Sequence, residues 1–188
     1  MTDTPMADPF VPEKPRDAMG SGGHTEHTAI VKAYAGAAAD ELPLGGYVAL
    51  MAVFTGAFAI LAAAARGRDR LRKVGLNDLA LAGIAVHKLS RTITRDRVTA
   101  PLRVPFTHYT GTDGAGQVHD EPRGRGLQRA LGSLLTCQYC TGPWLAMGVT
   151  AGLLFAPRVT RLASTVLSIA TVSDFLHQAY AGSRRWST

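Results

Sequence analysis

Two cysteines, Cys137 and Cys140, are the side chains whose type and spacing most directly suggest chemistry. They form a C-x-x-C motif within the string LLTCQYCTGPW, and this spacing occurs in redox pairs, in halves of zinc sites and in structural disulfides. Pro143 predicts a helix restart just after the motif, where the positive helix end would lower the pKa of the Cys140 thiol. Zinc takes four ligands and the chain has two thiols, so histidines or a second chain would have to complete a metal site.

The same cysteines have a simpler interpretation as packing residues of a helix. Their spacing places Cys137, Cys140 and Trp144 on one helical stripe, where small, soft sulfur side chains pack well. We therefore expect neither a bound metal nor a cofactor, while the redox, disulfide and metal interpretations stay open.

A second candidate pair, Asp174 and His177, lies three residues apart and so on one face of the last apolar helix. Ionisable side chains within a membrane are costly and often functional. Both residues fall within the last two turns of the helix, close to Arg184 and Arg185, from which a side chain can reach the interface. We expect an interfacial pair that contributes little to folding.

Basic residues surround a single acid in the segment RTITRDRVTAPLRVPFTHY, residues 91–109. Asp96 stands among Arg91, Arg95 and Arg97, and two prolines prevent a long helix here. The simpler interpretation is a surface that anchors lipid headgroups, in which basic side chains meet phosphate and Asp96 orders the arginines. The alternative is a recognition site for an anionic ligand or lipid.

The elements that would hold these residues are apolar helices. Hydrophobic residues make up 46% of the 188-residue chain and charged residues 18%, below the charged share of roughly 25% in soluble proteins. The 22 positions from Leu44 to Ala65 contain no ionisable side chain. A helix of that length extends about 33 Å, which is enough to cross a hydrocarbon core of about 30 Å.

Three further helical segments follow. Residues 76–94 have a short uncharged stretch before His87, which predicts either a short span or a helix lying in the interface. Residues 127–156 are apolar with a kink or restart at Gly142-Pro143, and residues 159–181 form the last apolar helix. We predict an all-α membrane bundle of three transmembrane helices plus one short amphipathic or re-entrant helix.

The distribution of Lys and Arg bears on the topology of this bundle. With three spans and the N-terminus outside, fifteen basic residues are cytoplasmic and five are outside. With four spans and the N-terminus inside, eleven are inside and seven outside, and Lys88 and Arg91 fall within the membrane. The three-span arrangement fits the positive-inside rule better.

The remaining segments are two tails and one loop. Residues 1–43 are rich in Pro and Gly, lack a secretory signal and predict a disordered or partly helical tail. Residues 44–181 form the helical membrane domain, with a flexible loop at about 107–126, and residues 182–188 form a basic C-terminal tail. The net charge of +6 indicates anionic lipid headgroups as partners rather than nucleic acid, because most basic residues flank apolar helices.

The strings HKLSRTITRDRVTAPLRVPF and LLTCQYCTGPWLA occur in this order, separated by a variable loop. Together they resemble the uncharacterised family of bacterial integral membrane proteins known as domain of unknown function 1360, some members of which are labelled sporulation proteins. The resemblance covers about residues 76–181, and the matching positions are Arg91, Asp96, Pro101, Leu102, Arg103, Cys137, Cys140 and Trp144. The family has no established activity, so the resemblance implies a location in a bacterial membrane without a mechanism.

These features together predict a non-enzymatic accessory or structural protein, multi-pass in the bacterial plasma membrane. Its candidate partners are anionic lipid headgroups, a second copy of the chain or another membrane protein. The sequence contains no recognisable Gly-rich phosphate loop, catalytic triad or carboxylate pair, so no catalytic residue is assigned. The alternative is a membrane thiol protein, redox-active or metal-binding, that uses Cys137 and Cys140.

Overall fold

The computed structural model describes Tyr34 and residues 42–66, 74–112, 114 and 116–186. Contacts divide the chain into two units, Met1–Leu42 and Pro43–Thr188. The predicted tail over residues 1–43 lies almost wholly outside the described residues, as do the last two residues of the chain. All helices and strands named below belong to the second unit.

The described part of the second unit is mostly helical and contains one small antiparallel sheet. Its elements in chain order are α1 (Leu44–Ala65), α2 (Leu76–Arg95), a 3-10 helix (Arg97–Thr99), α3 (Ala100–Arg103), β1 (Thr107–Thr112), β2 (Val118–Pro122), α4 (Gly126–Thr136), α5 (Gln138–Phe155) and α6 (Pro157–Trp186).

Within the described residues, α1 and α6 are the two helices long and apolar enough to cross a membrane. Both expose large apolar side chains, including Met51 and Ile60 on α1 and Leu162 and Ile169 on α6. Extended exposed apolar surface is typical of a face that contacts lipid or another protein. The prediction of a helical protein with apolar helices of spanning length is therefore confirmed for these two helices.

The buried face of α6 has the opposite character, because it is lined by small polar side chains. Ser164, Ser168 and Thr171 are all buried, and the Ser168 hydroxyl donates to the Leu81 carbonyl of α2 at 3.1 Å. Small hydroxyl residues let two helix backbones approach closely, and their hydrogen bonds join helices in an apolar environment.

Helices α2 and α6 pack side by side and run in the same direction. Asp78, near the start of α2, bonds Arg161 near the start of α6, and Lys88 further along α2 bonds Asp174 further along α6. If α6 crosses a membrane, α2 lies along the same depth. For the predicted short amphipathic or re-entrant helix, such a position along α6 favours a helix that enters the membrane over one that lies in the interface.

Helices α5 and α1 run in the direction opposite to α2 and α6. A tight connection at Ala156 turns α5 into α6, and Gly152 packs so closely on Thr160 that a Cβ at Gly152 would overlap the threonine side chain. Helix α1 runs parallel to α5, since its start lies against α4 and Phe54 meets Trp144 edge to face with 5.1 Å between ring centroids.

These directions define two ends of the helix group. The starts of α1 and α5 and the last turns of α2 and α6 lie at one end, which we call the cleft end. The end of α1, the start of α2 and the α5–α6 turn lie at the opposite end.

The helix break before α5 lies at Cys137, where φ is −108° and ψ is 107°, and not at Gly142-Pro143 as predicted. Pro143 instead lies inside α5 as its sixth residue. The missing N–H of Pro143 removes one hydrogen bond close to the helix N-terminus, where few such bonds have formed, so the helix continues through it.

A β-hairpin occupies most of the segment predicted as a loop, and the all-α prediction missed it. Strands β1 and β2 pair antiparallel from Thr107 opposite Pro122 to Thr112 opposite Val118, with an irregularity between Tyr109 and Gly111. Between the strands, Gly114 and Gly116 have φ of 89° and 78°, a region that glycine adopts without strain.

Candidate functional site

A cleft of about 1020 Å³ opens between the second half of α2 and the last turns of α6. The ionisable side chains that line it come from α2, from the turn that follows α2 and from α6. We call it the polar cleft, defined by Lys88, Arg91, Asp96, Arg97, Asp174 and His177.

The inner wall of the polar cleft is an ion pair between the two parallel helices. The Lys88 Nζ lies 2.6 Å from the Asp174 Oδ2, and the two side chains are 18% and 36% exposed. The pair keeps both charges satisfied where they are partly withdrawn from solvent. Asp174 and His177, predicted as an interfacial pair, thus lie in one cleft with α2 residues whose proximity the sequence did not reveal.

Two of the family-like positions, Arg91 and Asp96, also face this cleft. Both are half-buried. With Lys88 and Arg97, the cleft holds three basic side chains against two carboxylates, so its formal charge, counted with histidine neutral, is positive.

Arg103, another family-like position, lies beneath the turn that shapes the cleft and is fully buried. Its Nε donates to the Asp120 carboxylate at 2.8 Å. Its Nη atoms donate to the carbonyls of Ile93 and Asp96 and to the Thr99 hydroxyl. A buried guanidinium is stable only when its donors are satisfied in this way.

The Arg103 contacts fix how α2 ends. The last carbonyls of a helix have no partner within the helix, and here Arg103 supplies donors to two of them while Asp120 neutralises the charge. The backbone N–H of Arg97 then donates to the Gly116 carbonyl at 2.9 Å. The hairpin and the end of α2 are therefore tied together, and Asp96 and Arg97 are held at the rim of the cleft.

The sequence interpretation did not identify Asp120 as the partner of Arg103. It grouped Asp96 with Arg91, Arg95 and Arg97. The Asp96 group that contacts Arg103 is its backbone carbonyl. Of the neighbouring family-like positions, Pro101 lies in the first turn of α3, and Leu102 is exposed. A strand prediction for residues 118–122 would have put Asp120 on the same face as buried Val118.

Cys137 and Cys140 form a disulfide at the start of α5. Cys137 is half-buried and Cys140 exposed, and the Cys140 N–H points at the Cys137 Sγ at 3.2 Å. Cys140, Pro143 and Trp144 line an apolar groove against α1. Among the residues that the structure describes, no group of three or more His, Cys, Asp or Glu side chains is arranged to hold a metal ion.

Comparison with known proteins gives two matches. The family described as "Protein of unknown function (DUF1360)" matches residues 81–180, a range that contains the whole polar cleft, Arg103, Asp120 and both cysteines. The "Sporulation protein YjcA" of Bacillus subtilis (strain 168) is 34% identical over 71 residues, which is 36% of this chain and 60% of that protein. The chain thus spans about 60% of the length of this curated relative. No solved structure matches the chain.

Proposed function

We propose, from the premise that this chain belongs to the DUF1360 family, that it is a non-enzymatic accessory or structural protein of the bacterial plasma membrane that crosses the bilayer several times. The observation that carries the proposal is the distribution of side chains on α6. Ser164 and Ser168 are buried there while Ile169 is 65% exposed. A water-soluble fold places such residues the other way round, whereas lipid is a good solvent for the exposed face.

In the proposed arrangement α1, α2, α5 and α6 cross together, each in the direction opposite to the one before. The uncharged part of α2 is short for a span, but Lys88 and Asp174, both partly withdrawn from solvent, each have the other as a partner. With the cleft end in the cytoplasm, the cytoplasmic side receives eleven of the Lys and Arg residues and the other side seven, in the direction of the positive-inside rule.

The non-enzymatic part of the proposal is supported by how the polar side chains are used. Lys88 is paired across two helices, and Arg103 holds backbone carbonyls in place. Both groups serve the architecture of the cleft end, which would present a basic surface to anionic headgroups or to another membrane protein.

Cysteine labelling tests the crossing of α2. Single reporters are Gly75→Cys and Gly111→Cys, each in a Cys137→Ser/Cys140→Ser background, because a Cβ at either glycine meets nothing within 4 Å. An impermeant maleimide should label position 75 in intact cells and position 111 only after permeabilisation. Labelling of both positions under the same condition would show that α2 does not cross the membrane and would overturn the four-crossing arrangement. Labelling of position 111 in intact cells and of position 75 only after permeabilisation would reverse the orientation and keep the four crossings.

A second candidate function is a membrane thiol protein, which the Cys137–Cys140 disulfide favours. A cytoplasmic cleft end would put this pair among cellular thiols that keep most cysteines reduced, where disulfides are mostly catalytic or redox-sensing. Acid trapping of growing cells followed by alkylation with a mass-tagged maleimide measures the state of the pair. Disulfide and dithiol forms whose ratio follows added oxidant would support a redox role for the pair, whereas two thiols that stay reduced would exclude that role.

A further inference from the structure

Once Lys88 is paired with Asp174, the polar cleft is left with two arginines, Arg91 and Arg97, and one carboxylate, Asp96. The Arg91 side chain is half-buried and faces the cleft, and no hydrogen bond or ion pair links it to another residue in the described part of the chain. Lys88, about one turn earlier on α2, is already neutralised by Asp174. The charge left over in the cleft is therefore cationic.

We propose that the polar cleft binds a phosphate-bearing anion, with Arg91 as its primary ligand and Lys88 as a second. A guanidinium presents two parallel N–H donors that match two phosphate oxygens, and a neighbouring ammonium adds a point charge. Arg97 at the rim adds a further cation, and Gln117 and Gln178 add neutral polar groups to the lining.

The position of the cleft along the helices favours a lipid phosphate as the source of this anion. Asp174 follows Arg161 on α6 by thirteen residues, which corresponds to about 20 Å of helix. In a hydrocarbon core of about 30 Å, Arg161 at one boundary would leave the ion pair within about 10 Å of the other. Arg91 lies about one turn closer, about 5 Å from that boundary, and an arginine side chain can extend over this distance to the headgroup phosphates.

This depth argument rests on the proposed membrane crossing of α2 and α6, whereas the chemistry of the site does not. A free phosphate ester in the cytoplasm presents the same oxygens to Arg91 and Lys88. The shared chemistry is a phosphate anion, and the two sources differ only in whether acyl chains hold it at the mouth of the cleft.

The Lys88–Asp174 pair predicts competition within the site. A phosphate that approaches Lys88 shares the ammonium with the Asp174 carboxylate and is also repelled by it. Asp174→Asn removes the competing charge and releases Lys88, so anion binding should become tighter, while Arg91→Gln should weaken it.

The experiment compares Arg91→Gln with Arg161→Gln as a matched control. Both variants remove one guanidinium from the same helix pair, but Arg161 lies at the opposite end and bonds Asp78. Detergent-purified protein is incubated with dioleoyl phosphatidylglycerol or dioleoyl phosphatidylcholine, and native mass spectrometry counts the lipids retained. Glycerol phosphate titrated against labelled protein measures binding of the soluble ester.

We expect phosphatidylglycerol to be retained in preference to phosphatidylcholine, and Arg91→Gln to weaken that retention about tenfold, as loss of a charge-assisted bond predicts. Arg161→Gln should leave retention unchanged, and Asp174→Asn should increase it. Binding of phosphatidylglycerol alone identifies a lipid source, and comparable Arg91-dependent binding of glycerol phosphate identifies a soluble one.

Equal effects of Arg91→Gln and Arg161→Gln, or no binding of either phosphate probe, would overturn the inference. So would weaker binding in Asp174→Asn that remains folded by its unfolding temperature. If positions 75 and 111 label on the same side while Arg91-dependent binding persists, the proposed crossing fails and the phosphate site stands. If positions 75 and 111 label on opposite sides and neither phosphate probe binds, the proposed crossing stands and the phosphate site fails.

Discussion

Lys88 and Asp174 join two parallel helices through a contact of 2.6 Å between Nζ and Oδ2. The same two helices are joined at their starts by Asp78 and Arg161, where Nη2 and Oδ2 lie 2.8 Å apart. Between these pairs the helix interface is formed by small residues such as Ser168. Two ion pairs at separate levels fix both the register and the direction of α2 against α6.

Removal of one partner of the Lys88–Asp174 pair should destabilise the protein. The side chains are 18% and 36% exposed, so the loss should lie between that for exposed and that for fully buried pairs, at about 1–2 kcal/mol. Thermal unfolding in detergent of Lys88→Met, Asp174→Asn and the double variant measures the coupling between the two residues. Additive losses would show that the pair does not connect the helices energetically.

The Asp78–Arg161 pair should make stability depend on acid. The Arg161 side chain donates two hydrogen bonds to the Asp78 carboxylate. Protonation of that carboxylate in acid removes the ion pair and the stability that it contributes. Unfolding temperatures measured from pH 6 down to pH 3 should fall for the wild-type protein, and part of that fall should be missing in Asp78→Asn. Equal acid sensitivity of both proteins would contradict the role of this pair.

The helices could be predicted from sequence because their signal is local. An uncharged run such as Leu44–Ala65 has the length and composition of a span whatever surrounds it. The family could likewise be identified from short strings, and the match over residues 81–180 confirms it.

The placement of α2 could not be predicted from sequence, because it depends on contacts between distant residues. Asp78 and Arg161 are 83 positions apart and Lys88 and Asp174 are 86 apart. Periodicity reports on each helix alone and left both a span and an interfacial helix open for α2, while the Lys and Arg count favoured three spans with α2 as a short amphipathic or re-entrant helix. The direction of α2 relative to α6 follows from the two ion pairs, which join the helices at two separate levels.

The hairpin and the partner of Arg103 were missed for a related reason. The glycines at 111, 114 and 116 predict a loop. In the structure, two of them, Gly114 and Gly116, have positive φ and lie between two paired strands. Once β2 is formed, Asp120 reaches a buried arginine that precedes it by 17 positions. The sequence interpretation grouped Asp96 with Arg91, Arg95 and Arg97 and assigned no partner to Arg103, which the Asp96 backbone carbonyl also contacts.

Loss of Arg103 should be among the most damaging single changes. Arg103→Met leaves the buried Asp120 carboxylate without its partner and removes donors from the last carbonyls of α2. We therefore expect the free energy of unfolding to fall by about 3–5 kcal/mol. The double variant Arg103→Met/Asp120→Leu removes the unpaired charge and should recover part of the lost stability. Chemical unfolding in mild detergent measures both, with exposed Arg123→Gln as the control. A double variant less stable than Arg103→Met would contradict a charge-pairing role for Asp120.

Gly132 on α4 tests whether the hairpin is docked on the helices as tightly as the structure indicates. A Cβ at this glycine would overlap the Phe106 carbonyl and lie 3.1 Å from two atoms of Pro122, and backbone atoms at such a contact cannot move away easily. Gly132→Ala should therefore destabilise by about 1–3 kcal/mol through overpacking. Gly83→Ala on α2 is the matched control, since a Cβ there meets nothing within 4 Å and alanine favours a helix by about 0.5–1 kcal/mol over glycine. Thermal unfolding of the two variants should move in opposite directions, and parallel changes would show that the hairpin does not pack on α4.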